Sequence, residues 1–491
     1  MLTGAQLAPA LPPDLRPPRA PAEAAVPRIP RYQLLVMSNR APALAPHSEL
    51  QAGGLVSALE PALRHGHGIW LGWSGQQREQ PPCIAIDASR RPTYARFDLS
   101  EASHREFYAG FCNSVLWPLL HGFPERVRGD DRDWGAYVRV NERYARHAAE
   151  LVHRDAMIWV HDYHLLRVAR VLRALGHRGR IDLFLHVPFP ARELLETLRW
   201  SGDLVDAMLD FDLIGFQTRQ FAMNFLSAAR AIPGAHCDCC SVRRADHDTA
   251  VGVYPATIDP RPFRARPAPP PELAGLQLAL GQRRLILGVD RLDYSKGIPE
   301  RLDAYERMLD RQPRWRRRVT LLQIAVPSRT EIADYAELRQ RVEAAVGRIN
   351  GRFGDIDWVP VRYLYRAYDQ RMLARLYQLA DVGLITPLCD GMNLVAKEFV
   401  AAQDPARPGV LVLSRYAGAA DTLTDALITD PLAPDRLAAD IDRALRMTDD
   451  ERVRRHRALV AALEREGDAK AWARAFLDRL RRTGRSRARG P

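Results

Sequence analysis

Short apolar runs rich in valine, isoleucine and leucine alternate along this chain with amphipathic stretches, and the runs form two separate series. The first series consists of residues 33–40, 69–73, 158–160, 183–187 and 213–216. The second series consists of residues 285–289, 319–324, 361–364, 382–386 and 410–413. Strands that alternate with helices form mostly parallel sheets, and helices cover both faces of such sheets. The pattern therefore predicts an α/β protein with two Rossmann-like, doubly wound domains.

The proline-rich stretch 260–271 separates the two series and is typical of an interdomain connection. We therefore predict an N-terminal domain over 31–262 and a C-terminal domain over 263–482, whose last helices can pack back on the first domain. Residues 1–30, rich in proline and alanine, are expected to form a disordered extension, and residues 483–491 a basic tail. In such folds ligands collect in a cleft at the carboxyl ends of the strands.

The net charge of +12 suggests an acidic partner, but its distribution argues against nucleic acid. The arginines are spread along helical stretches such as 314–318 and 452–457, and no zinc-finger or RNA-binding signature accompanies them. A basic cleft also concentrates dianionic substrates. The sequence contains no apolar run long enough for a membrane span and no secretory signal. We therefore expect a cytoplasmic protein with neither a nucleic-acid nor a membrane partner.

Six cysteines do not make a disulfide framework in a chain of 491 residues, and three of them cluster at Cys237, Cys239 and Cys240. Structural zinc sites usually take two ligands from each of two knuckles, and the sequence offers only one such group here. We therefore predict a reduced cluster on a loop and no metal site.

Polar residues follow the apolar runs of the first series. Arg40 closes the first run. Gly53 and Gly54 come after it and before a helical stretch, where glycine lets the backbone approach a phosphate or a sugar. Asp162 follows the third run between two histidines, and His186 lies near the end of the fourth. Three polar groups at one strand end are more than helix capping needs, so this edge is a candidate binding site.

The second series has cations and a helix start at its strand ends. Arg291 and Lys296 follow its first run and can clamp a diphosphate, the arginine by a bidentate fork and the lysine as a point charge. The turn at Asp390 leads into the helix-forming segment 394–398, whose N-terminus favours phosphate or sugar hydroxyls. Glu398 is then placed to bind a ribose diol. The alternative is an ordinary helix capped by an aspartate, with surface ion pairs between these cations and neighbouring aspartates.

Eight short motifs occur in order along the chain. They are Ser-Asn-Arg (38–40), Ala-Gly-Gly-Leu (52–55), Gly-Trp-Ser-Gly (72–75), Val-Leu-Trp-Pro (115–118), His-Asp-Tyr-His-Leu-Leu (161–166), His-Val-Pro-Phe-Pro (186–190), Arg-Leu-Asp-Tyr-Ser-Lys-Gly (291–297) and Asp-Gly-Met-Asn-Leu-Val-Ala-Lys-Glu (390–398). Together they resemble the trehalose-6-phosphate synthase family, retaining glucosyltransferases of the GT-B type, over about residues 31–480. The resemblance implies transfer of glucose from UDP-glucose to glucose 6-phosphate, giving α,α-trehalose 6-phosphate and UDP for trehalose biosynthesis.

The resemblance also implies a role for each matching residue. The glucose 6-phosphate site would consist of Arg40, Tyr108, Trp117, Asp162 and Arg329. The UDP-glucose site would consist of Gly53, Gly54, His186, Arg291, Lys296, Asp390, Gly391, Met392, Asn393, Leu394, Val395 and Glu398. The catalytic residues would be Asp162, His186, Arg291, Lys296 and Asp390. No metal or other cofactor is required, because the cations neutralise the departing diphosphate.

Retention at the sugar carbon could proceed through a carboxylate nucleophile, but no motif places a second carboxylate for that step. We adopt as a hypothesis the front-face route implied by the resemblance, in which the leaving phosphate oxygen takes the acceptor proton. Two positions depart from the family pattern: Cys389 stands where many relatives have arginine, and Asp290 replaces a frequent glutamate. The lost cation could weaken a contact in the cleft, or the thiol could oxidise if it is accessible.

Two other functions stay open at this point. One is glucosyl transfer to another phosphorylated acceptor such as glycerol 3-phosphate, against which the retained motifs 38–40 and 52–55 argue. The other is a catalytically silent subunit that binds sugar phosphates and regulates a partner, against which the complete set of charged residues argues. The nucleobase of the donor (uracil, adenine or guanine) and the oligomeric state, possibly a homo-oligomer, are not decided by the sequence.

Overall fold

The structure is a computed structural model that describes residues 32–42, 59–60, 63, 68–79, 84–89, 91–266 and 270–483, with side chains up to residue 479. The predicted N-terminal extension lies outside the described residues, as do Gly53, Gly54 and nearly all of the predicted basic tail. Among the helices that the structure describes, none combines the length and the apolar character needed to cross a membrane.

The strands belong to two sheets. In chain order the first sheet contains β1 (Tyr32–Arg40), β2 (Ile69–Gln77), β3 (Ala85–Asp87), β4 (Thr93–Leu99), β5 (Val152–His161), β6 (Ile181–Phe184), β7 (Leu213–Phe216), β8 (His236–Cys237), β9 (Ser241–Arg243) and β10 (Asp248–Val253). The second contains β11 (Arg284–Arg291), β12 (Val319–Val326), β13 (Val361–Leu364), β14 (Val382–Ile385), β15 (Val410–Ser414) and β16 (Leu427–Thr429).

The helices alternate with these strands. In chain order they are α1 (Glu101–Ser103), α2 (Trp117–Leu120), α3 (Asp131–Leu151), α4 (Val168–Ala174), α5 (Arg192–Leu195), α6 (Ser201–Met208), α7 (Arg219–Ala229), α8 (Arg261–Arg264), α9 (Pro271–Leu280), α10 (Ile298–Arg311), α11 (Ala333–Phe353), α12 (Gln370–Leu379), α13 (Leu394–Ala402), α14 (Pro434–Arg446), α15 (Asp449–Glu466) and α16 (Ala469–Thr483). A π-helix, His104–Leu116, connects α1 to α2.

The strand order of both sheets is that of a dinucleotide-binding fold. The second sheet has the order β13-β12-β11-β14-β15-β16, and all its neighbours pair in parallel. The first sheet repeats this order as β4-β2-β1-β5-β6-β7, with β3 added antiparallel at one edge and β10, β9 and β8 at the other. Successive strands are added toward one edge of each sheet up to β4 and β13, and the chain then crosses over to add β5 and β14 on the other side of β1 and β11. Ligands bind at such switch points, outside the carboxyl ends of the strands.

One predicted strand ends earlier than expected. The fourth apolar run predicts a strand over 183–187, whereas β6 ends at Phe184. Pro188 and Pro190 follow closely, and because proline has no backbone N–H, the segment cannot continue the hydrogen-bond ladder. His186 therefore lies beyond the sheet edge, in the connection that faces the second lobe. The first lobe is the part of the protein built around the first sheet, and the second lobe is the part built around the second sheet.

The C-terminal helix α16 packs on the first sheet. The rings of Trp159 and Phe476 stack with their centroids 4.6 Å apart, and Trp472 meets Phe184 edge-on at 5.0 Å. The side chains of Trp472 and Phe476 are almost completely buried. The last helix thus completes the hydrophobic core of the lobe that the beginning of the chain builds.

The cysteine cluster lies on the hairpin formed by β8 and β9. Cys237 belongs to β8, whereas Cys239 and Cys240 are exposed in the turn, and all three are free thiols. Asp238 fixes this turn, because its carboxylate accepts hydrogen bonds from the backbone N–H groups of Cys240 and Ser241. The carboxylate and the two turn thiols lie within 4.8 Å of one another. That the cluster binds no metal stays a prediction.

Candidate active site

A cavity of about 310 Å³ opens between the two lobes at the switch points of both sheets. It is lined by Ser38, Asn39, Arg40, Tyr108, Trp117, His121, His161, Asp162, Tyr163, His164, His186, Val187, Arg291, Arg329 and Asp390. Eight of these residues were predicted site residues: Arg40, Tyr108, Trp117, Asp162, His186, Arg291, Arg329 and Asp390. Sequence reasoning did not assign a role to His121, Tyr163 or His164. The predicted residues Gly53 and Gly54 lie outside the described part of the chain.

Arg40 ends β1 with its guanidinium exposed to the cleft, 5.8 Å from the ring centroid of Trp73. Gly75 makes room for it, since a Cβ at that position would lie 2.6 Å from an Arg40 nitrogen. Gly75 also has a φ of +90°, a conformation that side-chain-bearing residues rarely adopt. The local backbone of β2 therefore leaves room for a guanidinium at the first switch point, and this guanidinium forms no ion pair with the described residues.

Aromatic residues form the neighbouring wall. Tyr108 is carried by the π-helix, and its ring is parallel to that of His164 at a centroid distance of 6.2 Å. Trp117 begins α2 and is buried beneath two cations, with the guanidinium of Arg329 3.8 Å and that of Arg291 5.4 Å from its ring. Guanidinium groups over an indole face gain cation–π stabilisation. Trp117 thereby positions one cation from each of two distant segments of the second lobe.

Arg329 is held by a buried carboxylate. Its Nη1 donates to Asp293 Oδ2 at 2.7 Å and to the Tyr335 hydroxyl at 2.7 Å. Asp293 also accepts hydrogen bonds from the Ser295 backbone N–H and from the indole of Trp117. Burial alone would raise the pKa of Asp293, but the surrounding cations, Arg329 foremost, hold it below its ordinary value. Asp293 is thus a charged anchor between the lobes, and sequence reasoning had considered it only as a surface partner.

Asp162 occupies a strained position at the carboxyl end of β5, with a φ of +72°. Its Oδ1 accepts a hydrogen bond from the backbone N–H of His186 at 3.2 Å. Burial raises the pKa of Asp162 to about 6, while the backbone hydrogen bonds and Arg291 and Arg329 oppose that rise. The carboxylate is therefore mostly ionised at neutral pH. It does not cap the helix that follows.

The histidines of the cavity are neutral at physiological pH. Burial lowers the pKa of His121 and His186 to about 4 and that of His164 to about 3, and it also holds the pKa of His161 well below its ordinary value. The fixed positive charge of the cavity comes instead from the arginines. A neutral imidazole can donate one hydrogen bond to a sugar hydroxyl and accept another from it. Because the ring is uncharged, binding does not require a charge to be removed from water.

The cations of the second switch point do not all face the solvent. Arg291 is exposed at the end of β11, whereas Lys296 is buried and donates to Asp390 Oδ2 at 2.6 Å. Burial favours the neutral acid, but Lys296 together with Arg291 and other neighbours lowers the pKa of Asp390 below its ordinary value. The surface ion pairs that were the alternative for these two cations are absent among the described residues. Asp290 pairs instead with buried Arg301.

The turn before α13 brings the lobes into direct contact. A Cβ at Gly391 would lie 1.9 Å from the carbonyl oxygen of His186, so only glycine fits between the two backbones. Asn393, with a φ of +72°, caps α13 by accepting a hydrogen bond from the Ala396 backbone N–H. The capping residue is therefore Asn393 and not Asp390, because the Asp390 carboxylate is occupied by Lys296.

The remaining predicted donor residues lie along the start of α13. Met392 is buried, and Leu394 and Val395 are half-buried at the first turn, where backbone N–H groups have no partner within the helix. Glu398 accepts a hydrogen bond from the Tyr377 hydroxyl at 3.0 Å, and burial raises its pKa to about 7. Cys389 precedes this turn, and burial raises the pKa of its thiol to about 12. A thiol with so high a pKa forms little of the reactive thiolate.

Comparison with known proteins identifies the family. The sequence pattern of glycosyltransferase family 20 matches residues 32–482. The chain belongs to this family. The trehalose-6-phosphate synthase of Klebsiella pneumoniae is 41% identical over 466 residues, which cover 93% of this chain and 98% of the relative. The resemblance found in the sequence is thereby confirmed, and the protein is a glycosyltransferase.

Solved structures of relatives have the same architecture. The Escherichia coli protein bound with UDP-2-fluoro glucose has a TM-score of 0.87 and 40% identity, covering 91% of this chain and 98% of that one. The α,α-trehalose-phosphate synthase (UDP-forming) from Burkholderia xenovorans, in complex with glucose-6-phosphate, has a TM-score of 0.86 and 39% identity, with 91% and 100% covered. The predicted fold, two Rossmann-like domains in a GT-B arrangement, is confirmed.

Proposed function

We propose that this protein transfers glucose from UDP-glucose to glucose 6-phosphate with retention, giving α,α-trehalose 6-phosphate and UDP. The observation that carries the proposal is that one cavity spans the switch points of both sheets. It brings together residues that the sequence predicted for the glucose 6-phosphate site and residues that it predicted for the UDP-glucose site. Relatives about 40% identical over nearly their whole length include trehalose-6-phosphate synthases solved with a UDP-glucose analogue and with glucose 6-phosphate. These relatives support both substrates.

The acceptor would bind against the first lobe. Arg40 presents an exposed guanidinium at the end of β1, and Arg329 approaches from the second lobe across Trp117. Two guanidinium groups suit a phosphate dianion, because each can donate two parallel hydrogen bonds. Tyr108 and Asp162 line the space between them and the donor side. We propose that Asp162 orients the acceptor sugar close to the anomeric carbon.

The donor would bind against the second lobe. Arg291 and the N-terminal turn of α13 face the place where charge grows on the departing diphosphate, and preorganised donors at such a place stabilise the transition state. Lys296 Nζ donates to Asp390 Oδ2 at 2.6 Å and holds the Asp390 side chain beside them. The Asp390 carboxylate can there accept hydrogen bonds from sugar hydroxyls. Glu398 would bind the ribose. This set of charges neutralises the leaving group, and we propose that the reaction needs no metal.

The ionised carboxylate of Asp162 would also stabilise positive charge on the sugar ring in the transition state. In the front-face route that we propose, the leaving phosphate oxygen takes the proton of the acceptor hydroxyl. A covalent glucosyl-enzyme trapped on Asp162 or Asp390 would contradict this route. A cytoplasmic location and a homo-oligomer stay predictions.

The test measures nucleotide release from UDP-, ADP- and GDP-glucose, each with glucose 6-phosphate and separately with glycerol 3-phosphate. We expect release with UDP-glucose and glucose 6-phosphate. The Arg291→Ala and Lys296→Ala variants should each lose roughly a hundred- to a thousandfold in kcat. Arg317→Ala, which removes an exposed arginine that pairs with Asp355 and does not line the cavity, is the control and should keep its rate. If no nucleotide were released with any acceptor, or if the folded Arg291 and Lys296 variants kept the unmodified rate, the proposal would be overturned.

A further inference from the structure

Two histidines at the edge of the cavity share a direct hydrogen bond. His161 Nδ1 and His186 Nε2 are 3.1 Å apart. His161 is the last residue of β5 and is completely buried, and both histidines belong to the cavity wall. Burial lowers the pKa of both residues, so both rings are neutral. A neutral imidazole has one N–H and one lone pair, and therefore one ring of the pair donates and the other accepts.

The surroundings of His161 indicate which ring donates. Its Nε2 is buried and has no hydrogen-bond partner in the part of the chain that the structure describes, and the same is true of the indole Nε1 of Trp159, whose ring centroid is 4.6 Å away. If His161 carried its proton on Nε2, two N–H donors on neighbouring rings would be buried without an acceptor among the described residues. With the proton on Nδ1, the unpaired atom of His161 is a lone pair, and only the indole N–H lacks an acceptor. Orphaned buried N–H groups are rarer than acceptors left unused.

We propose that His161 is a positioning residue, which donates its Nδ1–H to His186 Nε2 and thereby fixes His186 as the tautomer that carries its proton on Nδ1. The inference rests on the proposed function in assigning His186 to the donor sugar. Because Nε2 of His186 is occupied as an acceptor, the remaining polar atom of this ring is a hydrogen-bond donor. A sugar oxygen in contact with it accepts a hydrogen bond and keeps its own O–H available for another partner.

The tautomer can be read directly by nitrogen NMR on protein labelled with ¹⁵N-histidine. A His186→Gln variant assigns the signals of His186 by their disappearance. We expect a protonated Nδ1 and an unprotonated Nε2 on His186 in the unmodified protein. A proton on Nε2 of His186 would refute the inference. This measurement requires no turnover, so its outcome is separate from the success or failure of the proposed reaction.

A matched pair of variants tests the consequence for activity. Asparagine and leucine have the same shape, and asparagine can place an amide N–H on the atom bonded to Cγ, where His161 has Nδ1. We expect His161→Leu to lose about 10- to 100-fold in kcat/KM for UDP-glucose with an unchanged KM for glucose 6-phosphate. His161→Asn should recover most of the lost kcat/KM, since its amide N–H replaces the Nδ1–H that donates to His186. An equal loss in both variants would show that His161 only fills space, and the positioning role would be rejected.

Discussion

Replacing Asp293 with asparagine should weaken both the fold and the acceptor site, because this carboxylate joins the lobes. Asp293 is completely buried and accepts four hydrogen bonds, from Arg329, Tyr335, Ser295 and Trp117. Asparagine keeps the shape and one oxygen acceptor but removes the charge that Arg329 faces at 2.7 Å. The side chain of Arg329 is itself only 6% exposed, so water cannot replace the lost partner.

Removing one partner of a buried ion pair costs about 3–5 kcal/mol. The oxygen that asparagine retains can still accept from the Ser295 backbone, which places the expected loss at the lower end, about 3 kcal/mol. Because Arg329 loses its anchor, we also expect KM for glucose 6-phosphate to rise roughly tenfold. The pKa of Asp293 is lowered in the folded protein, so its stabilising effect exists above its ordinary value of 3.8 and is lost at lower pH. The stability difference should therefore narrow below that pH.

Urea unfolding of the two proteins gives the stability difference, and initial rates at varied glucose 6-phosphate give KM. The matched control is Glu343→Gln, which breaks an ion pair of similar length, 2.7 Å, on the surface of α11. Both of its side chains are more than 40% exposed, so this loss should stay below about 1 kcal/mol. If Asp293→Asn were no less stable than this control, or bound glucose 6-phosphate as well as the unmodified protein, the assignment of Asp293 as an anchor would be wrong.

Three further predictions concern other parts of the site and the core. Burial raises the pKa of Glu398 to about 7, and ribose hydroxyls donate hydrogen bonds to its ionised form. Calorimetry should therefore show the affinity for UDP falling several-fold from roughly pH 8 to pH 6, and Glu398→Gln should abolish this pH dependence. Gly75→Ala forces a Cβ against the guanidinium of Arg40 at a positive φ, and steady-state kinetics should show a raised KM for glucose 6-phosphate; an unchanged KM would contradict the packing. Trp472→Ala empties a buried site and should cost about 3–5 kcal/mol in urea unfolding; a loss below 1 kcal/mol would mean that α16 is dispensable.

The sequence predicted the residues whose position follows from local pattern. Arg40, Asp162 and Arg291 each follow an apolar run, and parallel strands bring their carboxyl ends to one edge of a sheet. Periodicity identifies the runs, so the edge that carries the site could be found without coordinates. The family motifs added Tyr108, Trp117 and Arg329, which no periodicity could have marked.

Contacts between distant residues were beyond this reasoning. Asp293 and Arg329 are 36 positions apart, and nothing in their local sequence shows that they pair. The helix cap is a second example: an aspartate before a helix is a good cap, yet Asp390 is taken by Lys296, 94 positions away, and Asn393 caps in its place. Tertiary contacts decide such choices between two locally acceptable partners. The spatial arrangement of the residues around the buried His161 is likewise visible only in the structure.

Helix α16 places the end of the chain inside the core of its beginning. Trp472 and Phe476 pack on Trp159 and Phe184, so the lobe that leaves the ribosome first lacks part of its interior until α16 has been translated. During synthesis, an apolar face of the first sheet stays exposed to solvent while the second lobe is being translated. We therefore expect this nascent chain to be prone to aggregation until α16 covers that face.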